Sequence, residues 1–139
     1  MPITYTIDQE RQLILTKVSG DLTIGRTIEY FDRLQQDSDC PHEAIEIVDF
    51  TEVTDFSIQY GDMQFITQGY QGAKATRKIL ATIFNCPSTL SYGIGRMLQA
   101  LHEIENENHL VMITRCEEEM IECVENLRSN ITTDAGDGR

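Results

Sequence analysis

No run of apolar side chains in this sequence approaches the roughly 20 residues that cross a bilayer, which excludes a protein anchored by spanning helices. The opening Met1-Pro2-Ile3-Thr4 lacks the basic stretch and apolar segment of an export signal, so a cytoplasmic protein is expected. Basic residues are scarce: 11 Lys and Arg stand against 23 Asp and Glu, a formal net charge of −12. Such a surface repels phosphate backbones and anionic headgroups, so nucleic acid is not an expected partner; the same surplus of acid favours solubility. The four cysteines, Cys40, Cys86, Cys116 and Cys123, form no C-x-x-C pair, which removes the spacing of a redox or structural zinc motif and leaves reduced thiols as the expectation. Cys123 falls in an apolar helical stripe and reads as core, while Cys86 and Cys116 each follow a strand and gain reactivity only if exposed beside positive charge.

What is present is ordinary globular material, 40% hydrophobic and 24% charged over 139 residues, enough for one core. Ile3, Tyr5 and Ile7 alternate with Thr4, Thr6 and Asp8, and after Gln9-Glu10-Arg11 a second β-prone run covers 12–18, which predicts a hairpin. Gly20 breaks that pattern. Ile24, Ile28, Phe31 and Leu34 then recur at helical spacing to about Ser38, and Asp39-Cys40-Pro41 ends the helix. A strand over 44–50 leads to a helix opened by Ser57 as its cap, with Ile58, Met63, Ile66, Tyr70 and Ala73 on one face. A strand over 79–84 leads to a helix carrying Leu90, Ile94, Met97, Leu98, Leu101 and Ile104. The last strand covers 110–114, and the last helix, opened by Glu117-Glu118-Glu119, has Met120, Ile121, Val124 and Leu127 inside.

The order ββαβαβαβα predicts an α/β fold with a mostly parallel five-stranded sheet and one antiparallel edge strand. Residues 1–128 form one domain on this reading, and 129–139 a disordered carboxyl-terminal tail. Thr4, Thr6, Thr16, Glu46 and Thr82 interrupt the apolar alternation that includes Ile14, Val18, Val48, Leu80 and Phe84. If they share a sheet face, that face is mixed, and either it serves as a docking surface for a partner or a second copy in a homodimer, or a terminal segment or helix covers it.

Chemistry is thinly marked. Gly93 and Gly95 lack the third glycine of a dinucleotide loop, since Leu98 stands in its place, and their expected role is to let a helix approach the sheet. Arg96 beside them suits an anionic group, and Ser91 and Tyr92 would line a pocket with it at the carboxyl ends of the strands. His42, His102 and His109 have no partner at metal-binding spacing, and the Glu103, Glu105 and Glu107 cluster reads as a solvated helix end, so no metal and no cofactor is expected. No serine sits in a G-x-S-x-G elbow and no cysteine is paired with a histidine by spacing, so an enzyme is unsupported by the sequence, though not excluded.

With the opening MPITYTID, a second strand ending in VSG, the strand-to-helix segment IVDFTEVTDFS and the helix start SYGIGRMLQAL, nearly the whole chain resembles the STAS superfamily, in particular the small stand-alone bacterial SpoIIAA-like proteins. The resemblance implies a βα superhelix with an added edge strand and a role in regulation or ligand sensing rather than turnover. In the anti-sigma-factor antagonists of that superfamily, a serine within a short Asp-Ser-Ser segment is phosphorylated by a partner kinase and controls partner binding. Asp55-Phe56-Ser57 occupies the matching place. Phe56 replaces the middle serine and Ile58 the glycine that follows, so Asp55 and Ser57 alone carry over. The resemblance thus implies a protein partner, with Ser57 as phosphoacceptor and Asp55 and Phe56 as contacts. The alternative is a small-molecule or lipid carrier with a pocket between helices and sheet near Phe56, Tyr60, Tyr92, Gly93 and Arg96.

Overall fold

The computed structural model describes residues 3–66, 68, 79–105 and 110–137. Strands β1 (Ile3–Asp8) and β2 (Leu13–Leu22) form the expected hairpin, with Ile3 opposite Val18 and Asp8 opposite Leu13. The Asp8 carboxylate accepts from the Arg11 amide at 3.0 Å and Gln12 takes a positive φ, which closes the turn. Helix α1 (Ile24–Gln36) follows, capped by the Thr23 side chain, which accepts from the Arg26 amide. Strand β3 (Ile45–Phe56) leads into a 3-10 turn (Tyr60–Asp62) and then a helix, α2, whose described part includes 63–66. Strand β4 (Ala81–Asn85), helix α3 (Thr89–Glu105), strand β5 (Leu110–Thr114) and helix α4 (Glu117–Asp137) complete the chain. Tyr70 and Ala73, expected on the α2 face, lie outside the described residues.

The five strands stand in chain order, β1-β2-β3-β4-β5, with only the first pair antiparallel. Right-handed crossovers through strands laid down in one direction place successive helices on one face of the sheet. Tyr30, Phe31 and Leu34 of α1, Met63 and Ile66 of α2, and Ile94 and Leu98 of α3 accordingly share one core with Ile14, Val18, Val48 and Phe84. Helix α4 follows the last strand and makes no crossover, so it is free to fold onto the opposite, back face. There Val124 and Leu127 cover Leu13, Ile45, Ile47, Ala81 and Ile83.

Three features depart from the sequence reading. Thr4 and Thr6 do not share a face with Thr16, Glu46 and Thr82, because Ile3, Tyr5 and Ile7 turn toward the main core and pairing places Thr4 beside Lys17 and Thr6 beside Leu15. The polar positions at 16, 46 and 82 lie beneath the helices and are buried. Gly20 does not end β2: its φ of +73° opens an irregularity in the pairing, and β2 continues to Leu22. β3 likewise runs past Phe50 to Phe56, and beyond Asp49 it pairs with β2 alone, as a two-stranded ribbon that outruns β4 and β5.

Candidate functional site

Ser57 leaves the end of the ribbon. Its amide donates to the Leu22 carbonyl at 3.0 Å, extending the β2–β3 pairing by one bond, and its exposed hydroxyl lies 2.8 Å from both carboxylate oxygens of Asp21. The helical turn begins only at Tyr60, so Ser57 does not cap it; Asp62 instead turns its carboxylate back to the Gln59 amide at 3.2 Å. Asp21 is held in place through its main chain, since the Arg26 guanidinium donates to the Asp21 carbonyl. Asp55, paired with Asp21 in the ribbon, is exposed and accepts from the Phe56 amide at 2.8 Å. Phe56 is half-buried and packs against the main core. Asp21, Asp55 and Ser57 therefore meet at one acidic tip. Asp21 was not singled out in the sequence; its pairing with Ser57 spans 36 residues and depends on β2 surviving Gly20.

Tyr92, Gly93 and Arg96 lie together on the exposed side of α3. The Tyr92 ring receives the Arg115 guanidinium 4.3 Å from its centre, and Arg96 donates to Gln99 at 2.9 Å. Ser91 is fully buried and serves the helix end: the Ser88 amide donates to its hydroxyl and the Ser91 amide donates to the Ser88 hydroxyl, each at 3.0 Å. The Tyr60 side chain lies outside the described residues. A cavity of about 40 Å³ does sit between sheet and helices, but Ile3, Val18, Phe31, Val48 and Leu98 wall it together with Thr16 and Tyr30, and none of Tyr92, Gly93 and Arg96 reaches it.

Beside that cavity lies a buried polar network. Glu46 is fully buried, and its carboxylate accepts from the Tyr30 hydroxyl at 2.5 Å and the Thr82 hydroxyl at 2.9 Å. With its one proton so used, the Tyr30 oxygen accepts from Thr16 at 2.8 Å. A carboxylate under three helices is tolerated because donors from β4 and α1 meet it. Sequence alternation located Glu46, Thr16 and Thr82 but gave no sign of Tyr30, which arrives from a helix.

Cys86 is buried and burial pushes its thiol up to about 12, which makes it a poor nucleophile at neutral pH. Burial also raises the Cys123 thiol, although that side chain is only partly covered, with its sulfur 3.5 Å from the Met112 sulfur. Cys116 is exposed. Among the described residues no three His, Cys, Asp or Glu side chains gather to hold a metal, and no helix is long and apolar enough to cross a membrane. Of the acidic cluster, Glu103 is exposed; His109, Glu107 and the side chains of His102 and Glu105 lie outside the described residues.

No family model and no curated protein matches the chain. Among solved structures it is similar to an uncharacterized protein of the DUF3478 family with a SpoIIAA-like fold from Shewanella loihica PV-4, with a TM-score of 0.54, 10% identity, and coverage of 88% of this chain and 91% of that one. That likeness establishes the fold: this chain is an α/β protein of SpoIIAA-like architecture. The anti-sigma factor antagonist SpoIIAA in its unphosphorylated form is also similar, with a TM-score of 0.47 and 14% identity over 88% of this chain and 97% of that one.

Proposed function

We propose that this SpoIIAA-like chain is a cytoplasmic regulatory module of STAS type that binds a protein partner through the tip formed by Asp21, Asp55, Phe56 and Ser57. The observation that carries the reading is the Ser57 hydroxyl, exposed and 2.8 Å from the Asp21 carboxylate. As an unmodified donor, it ties β2 to the chain leaving β3. A phosphate on it adds close to two negative charges and removes the donor, so it meets Asp21 and Asp55 with repulsion where an attraction had been. The tip then has two states, tied and repelled, and a partner fitted to one loses contact with the other. The structure supports this by placing the serine outside the helix cap, where no structural duty in that helix competes with modification.

The test uses a partner recovered from the native host. Ser57→Ala is expected to bind it and to ignore the kinase, while Ser57→Asp is expected to change its affinity. Unchanged affinity in Ser57→Asp, together with an unchanged kinase response in Ser57→Ala, refutes the proposal. The apolar cavity supports a second reading, a carrier of a small apolar guest. Its volume is about 40 Å³, so a lipid chain requires the helices to part. Native mass spectrometry of gently purified protein separates the two, since a carrier retains non-covalent mass; the same spectrum reports whether the chain is a homodimer.

A further inference from the structure

On the back face, register sets Lys17, Asp49, Asn85 and Thr114 side by side across β2, β3, β4 and β5. This polar row crosses a face otherwise built from Leu13, Ile45, Ile47, Ala81 and Ile83. Toward β5 the row is buried and internally satisfied: the Thr114 hydroxyl donates to Asn85 Oδ1 at 3.0 Å, and Asn85 Nδ2 donates to Asp49 Oδ1 at 3.3 Å. The Thr51 amide and hydroxyl donate to that same Oδ1, at 3.0 and 2.5 Å. Three donor groups thus converge on one oxygen of Asp49 and fix its carboxylate, while Oδ2 has no hydrogen-bond partner among the described residues.

Asp49 stands at one end of a groove of about 340 Å³ whose apolar wall is Leu15, Ile47 and Met120, with Thr4 and Thr6 along β1. Leu15 is 39% exposed there, although its neighbours along the strand, Ile14 and Thr16, are buried. Lys17 reaches the same groove, but its ammonium is paired with Glu52 at 3.4 Å, and among the described residues Asp49 has no ion pair. We propose that this groove binds a lysine or arginine side chain of a basic partner segment, its aliphatic stem on Leu15, Ile47 and Met120 and its cationic head donating to Asp49 Oδ2. An anionic group is repelled here, and a wholly apolar one leaves a half-buried carboxylate oxygen without a partner. The formal charge of −12 steers a basic partner toward the surface. The proposal rests on the reading of the chain as an interaction module but not on Ser57, which is no part of the groove.

The experiment is an amide NMR titration of the full chain with the capped peptide acetyl-Ala-Leu-Lys-Leu-Ala-amide, alongside versions carrying norleucine or glutamate in place of lysine. The lysine peptide is expected to shift Leu15, Ile47 and Asp49. Asp49→Asn keeps Oδ1, and with it the bonds from Asn85 and Thr51, and is expected to weaken binding roughly five- to tenfold. Ser57→Ala is expected to bind the peptide as the parent does, so failure of the switch and failure of the groove are distinguishable. An equal response to the norleucine peptide, undiminished binding by Asp49→Asn, or the absence of groove shifts overturns the proposal. Equal affinity for n-hexylammonium overturns it in favour of a site for free amines.

Discussion

Gly95 and Gly93 lie two residues apart on α3 and face opposite demands. A Cβ built on Gly93 meets nothing within 4 Å, whereas one on Gly95 falls 2.7 Å from the Cys86 sulfur and 3.6 Å from a methyl carbon of Ile113. Alanine in a helix interior is favoured over glycine by about 1 kcal/mol, so Gly93→Ala is expected to stabilise by about that amount. Gly95→Ala gains the same propensity but forces a methyl against the sulfur of Cys86, a residue that is 0% exposed. Overpacking of this kind costs about 1–3 kcal/mol, and the net expectation is a loss of up to about 2 kcal/mol. Urea unfolding of the two variants gives the contrast directly, with an unchanged denaturant slope showing that the same transition is being compared. Cys86→Ala removes the obstructing sulfur, so the Gly95→Ala and Cys86→Ala double-mutant cycle should show a favourable coupling of about 1–2 kcal/mol. If Gly95→Ala stabilises as much as Gly93→Ala, the close approach of α3 to Cys86 and β5 is not what glycine at 95 provides, and the reasoning fails.

Two further predictions concern the polar core and the first strand. Tyr30→Phe removes the donor to Glu46 and the acceptor for Thr16 at once, and is expected to cost about 1–3 kcal/mol in chemical denaturation, with Thr82→Val losing a comparable amount; a neutral result for both would mean that Glu46 does not need these donors. Burial, reinforced by the hydrogen bond to Asp37 and by its charge, pushes the Tyr5 phenol up to about 12. The native state therefore holds this proton more tightly than the unfolded chain does: the stabilisation is complete below about pH 10 and is lost as pH rises toward 12. Phenolate absorbance should show Tyr5 titrating later in the parent than in Asp37→Asn, and identical profiles would refute the role of that bond.

Much of the architecture was legible because hydrophobic period and turn residues are local signals. The hairpin at 3–18, the parallel strands and the helices around Leu34, Leu98 and Val124 all follow from them. The losses come from long-range pairing. Gly20 reads as a break because glycine weakens a strand, yet β3 supplies partners at Glu52 and Val53 that hold β2 together across it. Residues 51–56 read as loop because Thr51, Glu52, Thr54 and Asp55 are polar; Val53, at 7% exposed, and the half-buried Phe56 mark the inward side of a strand pinned by β2. The same extension takes Ser57 off the helix end and brings it to Asp21. Glu46 reads as part of a mixed face, since nothing nearby in sequence announces that Tyr30 will meet it. The back-face groove is not legible in the sequence, because which residues α4 leaves bare depends on where that helix lies.

Strands laid side by side in the order they occur in the chain have a consequence for how the molecule is born. Each strand finds its neighbour already made when it leaves the ribosome, so the sheet can grow one edge at a time without holding a gap open for a later segment. The back face is the exception. Until α4 docks, Leu13, Ile45, Ile47, Ala81 and Ile83 form an uncovered apolar plane. Docking of Val124 and Leu127 on that plane is then the single event that takes its apolar surface out of water.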